Sequence, residues 1–181
     1  MTAFLRSVQL LKASRATVTV CESSAGGLIN AGILAVPGAS AVYWGGSVVY
    51  STQRASQLML LDETDARALR SRTITTPEDY EQSKIAWTSL AARSLMRRLG
   101  TTWAIAEGGA AGPTFNYGVT QGFSVVTVCA RPQREGDEPR EWQRLWHTGQ
   151  VDRVVNMRAF AESAADFFAE TLEADARAHP R

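Results

Sequence analysis

Four short stretches of the chain combine hydroxyls, carboxylates and glycines in ways that can do chemistry. The first, Glu22-Ser23-Ser24-Ala25-Gly26-Gly27, follows an alternating apolar run and opens a helical one. A strand-to-helix turn presents unpaired backbone N–H groups and the positive end of a helix dipole, which together hold an anion such as phosphate. Gly26 and Gly27 let a ligand approach the backbone, and Ser23 and Ser24 add donors. A capped helix start whose glycines serve packing alone fits the same pattern. The second stretch, Val36-Pro37-Gly38-Ala39-Ser40, sets the Ser40 hydroxyl in a tight turn shortly before Gly45-Gly46. The third, Val49-Tyr50-Ser51-Thr52, ends a strand-like run on a phenol able to donate to an oxyanion. The fourth, Glu107-Gly108-Gly109-Ala110-Ala111-Gly112-Pro113, leaves a strand end, where open α/β sheets place their ligands. Its glycines imply unusual backbone angles or a backbone pressed close to a ligand. Their spacing is neither that of a dinucleotide fingerprint nor that of a P-loop.

Other chemistries find little support. His147 and His179, the only histidines, do not pair at ligand spacing, and Cys21 and Cys129 stand far apart, so no metal site is expected. A Ser-His-Asp triad would have to use His147. Lys+Arg total 19 against 18 Asp+Glu, so no basic field favours nucleic acid. Lys12 and Lys84 are the only lysines among those cations, which leaves few amines able to lose a proton.

The elements that must position these residues alternate along the chain. Residues 3–13 carry Phe4, Val8 and Leu11 at helical spacing, and 16–21 alternate like a strand. Residues 25–36 read as helix and 45–51 as a second strand, with one or two short helices over 58–70. Thr76 before Pro77, with Asp79 three residues after the threonine, predicts an N-cap for a helix running to about Leu99 and ending at Gly100. Strands are expected at 102–106 and 122–130, an edge strand near 142–147, and a final helix over 151–173. That order predicts one α/β domain, a mixed sheet covered by helices on both faces. The five tryptophans are spread over several elements, and Trp142 and Trp146 on an edge strand fit a subunit interface.

Taken together and in order, the four motifs resemble those of the CinA C-terminal domain family, whose enzymatic members are nicotinamide-nucleotide amidohydrolases. The family's glutamate-serine-x-x-glycine-glycine turn is matched by Glu22 to Gly27, its valine-proline-glycine-x-serine turn by Val36 to Ser40. Gly45 to Ser51 and Ala104 to Pro113 follow its strand motifs, and Gly149 to Arg153 its last helix start. The likeness covers residues 5–173. It implies a three-layer α/β/α sandwich that converts nicotinamide mononucleotide to nicotinic acid mononucleotide and ammonia, without metal or organic cofactor. It implies Ser40 as nucleophile, Tyr50 as a supporting donor, and a lysine five residues after that tyrosine as base. Glu22, Ser23, Ser24, Gly26 and Gly27 would shape the substrate pocket with Gly45, Gly46, Glu107, Gly108, Gly109 and Gly112.

At three points the sequence departs from that pattern. Ala55 stands where the family carries the lysine, and the neighbouring Arg54 cannot serve as a base near neutral pH. Ser24-Ala25 replaces cysteine-threonine, and Glu107-Gly108 replaces isoleucine-threonine. Lys84 or Glu107 would then have to take the base's place, or the pocket binds a nucleotide or small anion without catalysis. The partners expected are a small-molecule nucleotide and further copies of the chain in a homo-oligomer, with neither nucleic acid nor membrane. No apolar run reaches the roughly 18 residues of a membrane span, no signal peptide is legible, and few cysteines suit a reducing interior, so the expected location is cytoplasmic.

Overall fold

A computed structural model of the chain describes residues 3–50, 61–70, 72–113, 122–134 and 136–179. In chain order these form α1 (Leu5–Ala13), β1 (Val18–Glu22), α2 (Leu28–Leu34), a 3-10 turn (Ala39–Ala41), β2 (Tyr43–Val48), α3 (Glu63–Arg70), α4 (Pro77–Leu99), β3 (Trp103–Ala110), β4 (Phe123–Ala130), β5 (Arg140–His147) and α5 (Arg153–Ala178). The sheet runs β2-β1-β3-β4-β5. β1 pairs in parallel with β2 and β3, whereas β4 is antiparallel to β3 and β5, so the sheet is mixed as expected.

Two apolar layers make the sandwich. Val18 and Val20 of β1, with Trp103 and Ile105 of β3 and Val126 and Val128 of β4, pack under α1, α2 and α5. The alternate positions Cys21, Ala104, Ala106 and Cys129 pack under Trp87, Ala91, Leu95 and Met96 of α4. Strand alternation sends successive side chains to opposite faces, and both faces are covered, so the inner strands β1 and β4 are buried from end to end. Among the described residues no helix is long and apolar enough to cross a membrane.

Helix α4 begins and ends where its residues require. The Thr76 hydroxyl accepts from the Asp79 N–H at 3.1 Å, and the Asp79 carboxylate accepts from the Thr76 N–H at 3.0 Å, a closed capping box before Pro77. Gly100, at φ 68°, supplies the left-handed turn that stops it.

Two expectations change. The glycines at 108 and 109 belong to β3, which continues to Ala110 instead of ending at Ala106. Trp142 and Trp146 do not stand free for a partner. Trp142 stacks on Trp103 at 5.9 Å and Trp146 meets Phe160 of α5 edge-on at 6.5 Å, both within the chain.

Candidate active site at the carboxyl ends of β1 and β3

The first motif is a turn closed by two buried carboxylates. Glu107, fully buried on β3, receives the Ser124 hydroxyl at 2.6 Å, the Ala25 N–H at 2.9 Å, the Ser23 N–H at 3.2 Å and the Ser24 hydroxyl. Glu22, equally buried at the end of β1, receives the N–H groups of Asn30 at 2.8 Å and Ile29 at 3.2 Å, together with the Asn30 amide. The Tyr43 hydroxyl completes this cluster by donating to Asn30 Oδ1. Burial pushes the Glu107 carboxyl above the usual carboxylate range, against the four donors, which favour its ionised form.

This arrangement occupies part of the expected phosphate cradle. The N–H groups of Ser23, Ala25, Ile29 and Asn30 that an external anion would take are already held by the chain's own carboxylates. Glu107, electrostatically out of place beside a phosphate, instead satisfies backbone donors that would otherwise be orphaned. Of the two serines in the turn, Ser24 gives its proton to Glu107. Ser23, half-buried, holds its backbone on Glu107 and leaves its hydroxyl without a partner among the described residues.

The glycines are explained by packing. Gly26, at φ 67°, lies where a Cβ would run into the Met157 methyl of α5. A Cβ on Gly108 would come within 2.9 Å of the Trp87 ring, and one on Gly109 within 2.7 Å of the Ser124 Cα. Gly46 packs on Asn30 in mid-strand, and Gly45 pairs with Thr19, whose hydroxyl donates to the Gly45 carbonyl at 2.8 Å. Gly27, next to Val48, and Gly112, whose carbonyl takes the Arg153 guanidinium at 2.7 Å, do border the turn and the loop after β3.

Ser40 and Tyr50 are brought to opposite ends of the molecule's edge strand. Ser40 is exposed in the 3-10 turn before β2, and Tyr50, 76% exposed, follows β2. The six residues of β2 between them span about 20 Å at roughly 3.3 Å per residue. Within one chain Ser40 therefore cannot serve Tyr50 or the Glu22-to-Gly27 turn. Arg54 and Ala55 lie outside the described residues, as does the stretch after Pro113.

Sequence reading gave no weight to Ser124 and Asn156. Ser124 is an unremarkable residue of a strand, legible only once β3 and β4 pair Gly109 with it. Asn156, buried on α5, donates to the Ala111 carbonyl at 2.9 Å and so ties the loop after β3 to the helix. Lys84, by contrast, was a candidate. It lies in the sheet-facing stripe of α4, one turn before Trp87 and Thr88, with its ammonium 4.8 Å from the centre of the Tyr80 ring. Burial lowers its pKa to about 8 although the Glu107 charge pulls the other way.

A lysine whose pKa is lowered on folding binds fewer protons folded than unfolded between about 8 and 10.5, so stability rises with pH across that window. Replacing Lys84 with methionine is expected to stabilise the protein most below pH 8. The advantage over the wild type should shrink as pH climbs to about 10.5, read from urea midpoints of both proteins. A difference flat in pH would contradict the placement of Lys84.

The opposite end of the sheet holds an open cavity of about 840 Å³ floored by Leu10, Trp103 and Leu172. Its arginines are engaged within the fold, Arg131 on the Gly100 and Thr101 carbonyls and Arg140 on Asp175. No group of three or more His, Cys, Asp or Glu able to hold a metal ion occurs among the described residues.

Comparison with known proteins points in one direction. Residues 3–172 match the family described as CinA C-terminal domain. A CinA-like protein of Myxococcus xanthus is 32% identical over 160 residues, which is 86% of this chain and 33% of that protein. One of Parasynechococcus marenigrum is 38% identical over 104 residues, 58% of this chain and 22% of its own length. The chain thus spans about a third or less of these relatives. Among solved structures, a competence-damaged protein (CinA) superfamily protein of Klebsiella pneumoniae superposes with a TM-score of 0.76 at 21% identity, covering 94% of this chain and 96% of that one. A competence damage-inducible protein A from the same species gives 0.73 at 20% identity over 99% of both.

Proposed function

Since the chain belongs to the CinA C-terminal domain family, we propose that it hydrolyses the carboxamide of a nicotinamide nucleotide at the turn that closes β1, with Ser23 as nucleophile. The observation that carries this reading is the division of labour between the two serines. Ser24 is spent on Glu107, while the Ser23 backbone is clamped by the same carboxylate and its hydroxyl is left free at the strand end. A nucleophile held by its main chain with an uncommitted side chain meets the positioning requirement of covalent catalysis. Tyr50 stands at the same end of the sheet, following the strand paired to Glu22, and supplies a phenol for the tetrahedral oxyanion. The reaction yields ammonia and the pyridine carboxylate.

Assembly into a homo-oligomer belongs to the same proposal, with a changed surface. The large apolar side chains left exposed on and beside edge strand β2 are Trp44, Val48 and Tyr50, so the second copy would meet this edge and not β5.

Incubation of the purified protein with nicotinamide mononucleotide is expected to release ammonia. Ser23→Ala should lower the rate about 1,000-fold or more, as removal of an acyl-transfer nucleophile does, and Ser40→Ala should change it less than about threefold. Equal activity of Ser23→Ala and the wild type would refute the assignment. Thermal stabilisation by the nucleotide without ammonia release would favour a binding module over an enzyme.

A further inference from the structure

A serine hydroxyl does not attack a carboxamide until something takes its proton. The chain offers two amines for that purpose, and one is remote. Lys12 donates to the Pro37 carbonyl at 3.0 Å, beside the 3-10 turn that precedes β2. We propose that Lys84 of α4 is the proton acceptor and donor for Ser23, an inference that rests on the reading of Ser23 as nucleophile.

Register and periodicity bring the two together. In β1 the side chains of Val18, Val20 and Glu22 face α2 and α5, whereas Cys21 packs under α4. Ser23 follows Cys21 and Glu22 directly, in the turn that leaves β1, with its N–H held by Glu107. Cys21 is level with Ala106 and Glu22 with Glu107, the last pair of the ladder, so Ser23 leaves the sheet next to the residue before Gly108. Trp87 sits directly on Gly108. Because α4 runs from the carboxyl ends of β1 and β3 toward Gly100 and the start of β3, Lys84 lies three residues past Trp87, about 4.5 Å beyond it toward those ends. Lys84 and the Ser23 turn therefore lie at the same end of the sheet.

The surroundings of Lys84 suit a base and not a structural cation. Its ammonium has no hydrogen bond or ion pair among the described residues, only the face of Tyr80. On the elements packed against α4, Glu107 of β3 is the one charge that acts on it. Cys21 of β1 is pushed up to about 12 and stays neutral. On β5, His147 faces Glu81 at 3.4 Å and Glu141 pairs with Arg93 at 2.7 Å, while on α3 Glu63 and Arg67 lie 3.9 Å apart at the surface. With its pKa lowered to about 8, an appreciable fraction of the amine is neutral near physiological pH.

In the proposed step the Ser23 O–H bond breaks and its proton passes to neutral Lys84 Nζ as Oγ bonds to the carboxamide carbon. The ammonium then protonates the amide nitrogen, the C–N bond breaks and ammonia leaves. Water adds to the acyl-serine ester by the same relay, releasing the carboxylic acid and restoring Ser23.

Ser23 reactivity tests this independently of the natural substrate. The full chain is treated with phenylmethylsulfonyl fluoride between pH 6 and 10, and sulfonylation of Ser23 is followed by peptide mass. The wild-type rate is expected to rise through an apparent pKa near 8. Lys84→Met and Lys84→Arg should both slow it at least about 100-fold, the second because a guanidinium keeps its proton. Circular dichroism and melting temperature confirm that both variants are folded. Wild-type-like labelling of folded Lys84→Arg, or no labelling of wild-type Ser23, overturns the proposal. Lys84-dependent labelling without ammonia release from the nucleotide supports the dyad and removes the amidase reading instead.

Discussion

Replacing Glu107 with alanine is expected to cost roughly 3–5 kcal/mol of folding stability, chiefly from two orphaned backbone amides at about 1–3 kcal/mol each. Four donors converge on this carboxylate, two of them backbone N–H groups of the turn after β1. Three of them cannot turn to water, because Ser24, Ala25 and Ser124 are buried with the fully buried Glu107. An unsatisfied buried donor costs about 1–3 kcal/mol, and the hydroxyls can find other acceptors more easily than the amides can. Glu107→Gln keeps the shape and two acceptor lone pairs, but it turns an NH₂ toward donors, so an intermediate loss is expected. Urea unfolding of the three proteins at pH 7 checks the order. A loss below about 1 kcal/mol for the alanine variant would mean that the turn is held by something else.

Gly109→Ala is expected to destabilise the fold by about 3 kcal/mol or more, at the upper end of overpacking effects. The added methyl would lie 2.7 Å from the Ser124 Cα and 2.9 Å from the Phe123 carbonyl carbon, against the Phe123 carbonyl oxygen itself. Those atoms belong to β4, hydrogen-bonded on both sides by β3 and β5, so they cannot retreat without breaking a ladder. Gly108→Ala is the instructive contrast. Its methyl would meet the Trp87 ring at 2.9 Å, a side chain that can shift a few tenths of an ångström. The midpoint in urea should therefore fall further for position 109 than for 108, and the reverse order would show that β4 yields more readily than Trp87.

The same contrast marks what could be read from the sequence. Helix α4 was legible at both ends because Thr76, Pro77, Asp79 and Gly100 act on their own neighbours. The layering was legible because alternation in β1 and the apolar spacing of α1 are local patterns. The glycines were not. Gly26, Gly108 and Gly109 answer to Met157, Trp87 and β4, partners between 14 and 131 residues away, and the sequence shows only that a side chain is missing. Ser40 and Tyr50 mislead for a related reason. Ten residues of separation looks close, yet six of the intervening residues are fully extended as β2. Glu107 read as an intruder beside an anion because the N–H groups it satisfies come from a turn 82 to 84 residues earlier.

On the proposed reaction, that internal carboxylate also bears on what happens after the bond is cut. The substrate's reacting end is an uncharged amide when it arrives and an anion when hydrolysis is complete. Glu107, clamped at the back of the Ser23 turn, cannot swing away from it. In its ionised form that carboxylate disfavours the product's new carboxylate more than the incoming neutral amide, so it favours release over retention.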